Sequence, residues 1–135
     1  MGRFVEAGCG CTPRIGCDLA EVEAVRASIA TFGDRYLGRV YSAEERSQTG
    51  EAPDRLAARF AGKEAVLKLL GVGDLSLREV EIITGSTGAP EVRLAEAAQS
   101  CARAQGLGEI AISLSHDGGM ALATAVALAS RTGVE

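Results

Sequence analysis

The hydrophobic pattern changes period half-way along the chain, and the change predicts its architecture. RIGCDL, residues 14–19, reads as a short strand ending at an aspartate. AEVEAVRASIATF follows with Val22, Val25 and Ile29 at helical spacing, until Gly33 stops it. DRYLGRVY continues as a second helical stretch, and Ser42 and Glu45 have capping-box spacing for a third. QTGEAP is a loop; Pro53 suits the first turn of a long helix and Gly71 the position just past its end. Beyond it the period falls to two. In LREVEIIT, Val80, Ile82 and Thr84 alternate with Glu79, Glu81 and Ile83, GSTG turns the chain into PEVRL, and a hairpin results. AEAAQSCARAQG is helical and ends in glycine; EIAISLS is a strand, HDGG a turn, and MALATAVALA a strand with alanine on one face. That alanine face must meet something close. Helices first, then antiparallel strands, give an α+β domain with an antiparallel sheet packed on helices. The expected boundaries are an N-terminal extension over 1–13 and a single domain over 14–130.

The long helix does not fit the simple pattern. RFAGKEAVLKLLG, residues 59–71, sets Arg59, Lys63, Glu64 and Lys68 among apolar residues. At about 100° per residue, Arg59 and Lys63 share one flank, Glu64 and Lys68 the other, and no clean polar face emerges. Gly62 costs about 1 kcal/mol against alanine inside a helix unless something approaches the backbone there. A solvated helix with two i,i+4 ion pairs would also explain the charges.

Composition narrows the partners. With 135 residues there is room for one domain, and 47% apolar and 24% charged residues describe a globular chain. Three Phe, two Tyr, no Trp and a net charge of −4 argue against nucleic acid. Cys9, Cys11, Cys17 and Cys101 lack structural zinc spacing and read as reduced thiols. The start has neither a signal-peptide run nor a membrane-spanning stretch, so the expectation is a cytoplasmic protein with no membrane partner. Asp18, Glu64, His116 and Asp117 lie at the ends of elements or on the charged helix, with Lys63 and Lys68 nearby in sequence. Carboxylates suit a hard cation and ammonium groups suit phosphate charge, so the set is a kit for a magnesium–phosphate site. Each residue also has a plain role, Asp18 as a helix cap and Asp117 as a turn former.

IGCDLAEVEAV, DRYLGRVYSAEE, LAARFAGKEAVLKLLG, EVEIITGSTGAP and ISLSHDGGMALATAV, in this order, resemble the holo-acyl-carrier-protein synthase family of small 4'-phosphopantetheinyl transferases. The likeness runs from residue 14 to about 128. It implies the fold of that family and transfer of the phosphopantetheine arm of coenzyme A to a serine of an apo acyl carrier protein, releasing adenosine 3',5'-bisphosphate. The carrier would be of fatty-acid or polyketide type. By position, the resemblance implies Asp18 and Glu64 as magnesium ligands and Lys63 and Lys68 as phosphate contacts. Arg59, Gly88, Pro90, Ser115 and His116 complete the coenzyme-binding set. Glu64 and His116 are alternative bases for the serine, with Lys68 assisting. Asp117 is either a turn residue or a third carboxylate completing the magnesium shell. The resemblance also implies a homotrimer with sites at subunit boundaries, for which the alanine faces of the last strands would allow close contact. Arg26, Arg35 and Arg39 are candidates for meeting an acidic carrier.

There are departures. Gly88-Ala89-Pro90 lacks the cation that family members carry between glycine and proline, Gly62 stands where they have alanine, and Glu21 and Glu23 make the first helix acidic. A non-catalytic carrier-binding module is therefore a rival reading, and a thiol module on Cys9-Gly10-Cys11 a second.

Overall fold

The computed structural model describes residues 11–130. Its first strand, β1, spans Cys11–Glu21, and four helices follow: α1 Val22–Phe32, α2 Asp34–Val40, α3 Ala43–Thr49 and α4 Pro53–Leu70. A 3-10 turn at Leu77–Glu79 leads into the hairpin of β2, Val80–Thr84, and β3, Pro90–Leu94. Helix α5, Glu96–Ala104, precedes β4, Ala111–Asp117, and β5, Met120–Ser130. The elements expected from periodicity are all present, with one difference of extent at the start. β1 begins at Cys11, so residues 11–13 of the expected extension belong to the sheet, and residues 1–10 lie outside the described residues. Pro13 is tolerated because β1 is an edge strand, where a missing N–H costs no ladder bond.

Two antiparallel sheets form, one ordered β1-β5-β4 and one β2-β3. The register Gly16↔Ala125, Asp18↔Ala123 and Ala20↔Ala121 puts these residues on one face of the large sheet. Ile112, Leu114 and His116 join that face through Ala125, Ala123 and Ala121. Helix α4 lies across it, burying Ala57, Ala58, Ala61, Ala65, Val66 and Leu69 against the alanines of β5 and the small residues of β1. A Cβ added at Gly16 would stand 1.9 Å from the Ala65 carbonyl oxygen and 2.8 Å from the Leu69 nitrogen, both backbone atoms. Glycine is what lets helix and strand meet there. Gly62 has a milder version of the same role, its added Cβ meeting Ile112 and Ile82 at 3.2 Å and Leu114 at 3.3 Å.

The alanine face is therefore covered from within the chain, which corrects the expectation that it serves subunit contact. The opposite face carries the large side chains. Ile15, Leu19, Leu122, Val126 and Leu128 are 65%, 60%, 40%, 37% and 52% exposed.

Gly16→Ala should destabilise the protein by about 3 kcal/mol or more, since neither clashing atom belongs to a side chain that can move. Urea unfolding at fixed protein concentration measures this; an unchanged midpoint would show that α4 can shift away from β1.

Candidate active site

Asp18 stands on the helix-covered face of β1, one alternation past Gly16, where the close approach of α4 brings it to the helix. Lys68 Nζ donates to Asp18 Oδ1 at 2.8 Å and to the Cys17 carbonyl at 3.1 Å. Glu64 lies one turn before Lys68 on the same flank of α4. Its carboxyl is pushed above the usual carboxylate range, first by partial burial and then by the negative charge of Asp18, while Lys68 opposes both. The hydrogen bond and charge of Asp18 in turn raise the Lys68 ammonium. Among the described residues no group donates a hydrogen bond to Glu64. Beside Glu64 and Lys68 opens a cleft of about 430 Å³, lined also by Leu67, Gly71, Val72 and Leu75 among others. Gly71 ends the helix at φ 74°, turning the chain so that the following segment forms the far wall. That wall was not anticipated from sequence; Gly71 and Gly73 were its only local signal.

Lys63 does not join them. It is fully buried, with Nζ 2.8 Å from Glu45 Oε1, and it donates to the carbonyls of Leu77 (3.3 Å) and Val80. The expected phosphate contact is corrected: the flank that Lys63 occupies faces α3 and β2, and the ammonium is consumed there. Burial pulls it below the ordinary lysine value, and the charge of Glu45 resists. Glu45 also accepts from the backbone N–H of Ser42 at 2.9 Å and of Ile82 at 2.7 Å. Its capping-box spacing showed only the first of these bonds.

Asp117 starts the turn, the plainer of its two readings. It is the last residue of β4, opposite Met120, and the turn is made by Gly118 and Gly119 at φ 58° and 80°. Strand alternation places Ser115 and Asp117 on the outer face, away from Asp18, and β5 lies between β4 and β1. Among the described residues no three carboxylates, histidines or cysteines gather as a metal group. His116 is on the inner face but separated from Asp18 by β5, at about 12 Å, two strand spacings across and two residues along.

Arg59, Gly88 and Pro90 gather elsewhere. An Arg59 guanidinium nitrogen donates to Thr84 Oγ1 at 3.1 Å, Thr84 pairs with Pro90, and Gly88 forms the β2–β3 turn at φ 91°. Arg59 Nε is buried without a partner among the described residues, and burial lowers the pKa of its guanidinium. On one chain the anticipated residues thus make two groups: Asp18, Glu64 and Lys68, and, on the other side of α4, Arg59 with Gly88 and Pro90. Of the arginines considered for a carrier, Arg26 is tied to Glu23 at 3.1 Å. Arg35 lies 5.9 Å over the ring of Phe32, which is 51% exposed, and Arg39 joins them in lining a shallow groove.

Residues 14–125 match the family model described as ACPS, 4'-phosphopantetheinyl transferase superfamily. The chain belongs to this family. Among curated proteins, it is 35% identical to the holo-[acyl-carrier-protein] synthase of Chloroflexus aggregans, over 88% of this chain and 97% of the relative. It is 39% identical to that of Desulforudis audaxviator, over 84% and 91%. Among solved structures it resembles the synthase of Neisseria meningitidis at TM-score 0.77 and 31% identity, covering 84% of this chain and 96% of that one. The Helicobacter pylori synthase in complex with coenzyme A matches at TM-score 0.76 and 27% identity, over 84% and 98%. As a 4'-phosphopantetheinyl transferase it shares the α+β fold of these structures.

The raised pKa of Glu64 carries a sign. A carboxylate whose pKa is higher in the folded protein contributes stability at low pH that is lost as pH rises through the folded value. In chelator without coenzyme, Glu64→Gln should therefore melt higher than wild type at pH 7, with the difference closing as pH falls below 4. A lower melting temperature at pH 7 would show that Lys68 outweighs burial and Asp18.

Proposed function

We propose that this transferase uses Asp18, Glu64 and Lys68 to move the phosphopantetheine arm of coenzyme A onto a serine of an apo acyl carrier protein, leaving holo carrier and adenosine 3',5'-bisphosphate. The observation that carries the assignment of residues is the meeting of two carboxylates and an exposed ammonium beside a cleft at the end of α4. Two carboxylates without a third protein ligand fit magnesium, which keeps waters and takes substrate phosphate oxygens for the rest of its shell. Asp18 and Glu64 would hold it, and when bound it supplies charge neutralisation at the diphosphate. Lys68 offers its ammonium to the same phosphates, stabilising the negative charge that grows on the leaving bisphosphate as the phosphorus–oxygen bond breaks. The attacking serine must lose its proton as it attacks; in this reading Glu64 takes it through a water held at the site, with His116 as the alternative base.

The second group completes the site in this reading. Arg59, with an unpaired Nε–H, Gly88, Pro90 and His116 would meet the coenzyme from a neighbouring subunit of a homotrimer. Their separation from Asp18 on one chain supports this, as does the outer sheet face, where Ile15, Leu19, Leu122, Val126 and Leu128 are exposed together as an apolar patch of the kind that marks an interface. Arg35 and Arg39 beside Phe32 are the proposed landing place of the carrier. The cytoplasm is the proposed compartment; Cys17 and Cys101 are free thiols, and no described helix is long and apolar enough to cross a membrane.

Incubation with coenzyme A, magnesium and apo carriers of fatty-acid and polyketide type should add one phosphopantetheine to a carrier, read by intact mass. Asp18→Ala or a chelator should abolish the adduct, and Arg35→Ala with Arg39→Ala should raise the carrier Michaelis constant. Failure to modify any carrier would favour a binding module; turnover by Asp18→Ala near the wild-type rate would remove the metal assignment. Light scattering should give three chain masses, and Val126→Glu should give monomers that no longer transfer. An active monomer would show that one chain holds the whole site.

A further inference from the structure

Lys68 occupies two places that cannot be filled together. Its ammonium holds Asp18 Oδ1 at 2.8 Å and the Cys17 carbonyl at 3.1 Å, yet the proposed reaction needs both the Asp18 carboxylate for the cation and the ammonium for the diphosphate. Arg14, the other cation on this face of β1, is committed to the Leu69 carbonyl at 3.1 Å and to Gln105. Lys68 is thus the described positive charge that offsets the Asp18–Glu64 pair before anything binds. The side chain of Asp18 is only 18% exposed, so an ammonium 2.8 Å from Oδ1 occupies part of the little that a cation could reach. The Lys68 side chain is 56% exposed, and its departure costs no buried contact.

We infer that Lys68 is the resident counter-ion of the carboxylate pair in the free enzyme, and that it sets the order of loading by moving from Asp18 to the coenzyme diphosphate. The inference rests on the magnesium reading above. While Lys68 remains on Asp18, an entering dication meets both a covered ligand and a like charge. Once a diphosphate draws the ammonium away, both carboxylates are free and phosphate oxygens are present. Each ligand therefore raises the affinity of the other, as linkage requires. Lysine suits the exchange because its compact ammonium on a flexible stem changes partners by rotation about single bonds.

The test is binding, not turnover. Manganese, a paramagnetic substitute for magnesium, is titrated into the folded protein and the free ion is read by electron paramagnetic resonance, with and without coenzyme A. Wild type should bind weakly alone and about tenfold more tightly with coenzyme. Lys68→Met should bind manganese about tenfold more tightly than wild type in the absence of coenzyme, and coenzyme should add little. Lys68→Arg should retain the weak binding of the wild type. If Lys68→Met and wild type bind equally without coenzyme while Asp18→Asn abolishes binding in both backgrounds, the metal site stands and the loading role of Lys68 is wrong. If Asp18→Asn leaves manganese binding to Lys68→Met unchanged, the metal is elsewhere, and the magnesium reading falls with the inference.

Discussion

Everything at the site depends on how close α4 comes to the large sheet. The helix presents alanines, and β5 answers with alanines at every second position, so that over β1 and β5 the two layers come close. At Gly16 the approach reaches backbone contact. Asp18 follows Gly16 on the same face of the strand, so its short side chain reaches the helix and finds Lys68. A sheet face of valine or leucine would lift α4 by the width of a side chain and break that bond. The same alternation sends the large residues of β1 and β5 outward, so a close inner contact and an apolar outer surface are two results of one pattern.

The rotation of α4 has a separate cause. Adjacent residues of a helix point about 100° apart, so Lys63 and Glu64 look to different sides. Lys63 turns into the gap between α3 and β2, where Glu45, two carbonyls and the Tyr41 ring at 5.9 Å surround its ammonium. Breaking such a pair leaves an uncompensated buried charge, at a cost of about 3–5 kcal/mol. One residue of the dipeptide orients the helix and the other is thereby aimed at Asp18. The small sheet is held through the same carboxylate, since Glu45 also accepts the Ile82 N–H.

The order of elements, the caps and the helix carrying the site were legible because each has a local cause: a period, a glycine stop, a capping box. What was not legible depended on which side of an element faces inward. Periodicity separated Arg59 and Lys63 from Glu64 and Lys68, but only tertiary contact determined that the Lys63 flank is buried. Asp117 has a local cause for starting its turn, a short side chain before two glycines, but the side of the sheet it takes depends on the ladder, which runs on to Asp117 opposite Met120. That continuation decides the face, which turns Asp117 away from the Asp18 of its own chain. Alanine on β5 announced a close neighbour without saying whether it belonged to this chain.

The two lysines also have a chemical consequence. Of the fourteen basic residues, twelve are arginines, and the only lysines are Lys63 and Lys68. Lys63 is fully buried and paired, whereas Lys68 reaches solvent. Amine-directed acylation of the folded protein is thereby confined to the chain's own amino terminus and the ammonium that guards Asp18. Lys68 lines the cleft and is exposed to solvent, so it is a reporter supplied by the sequence that needs no engineered tag.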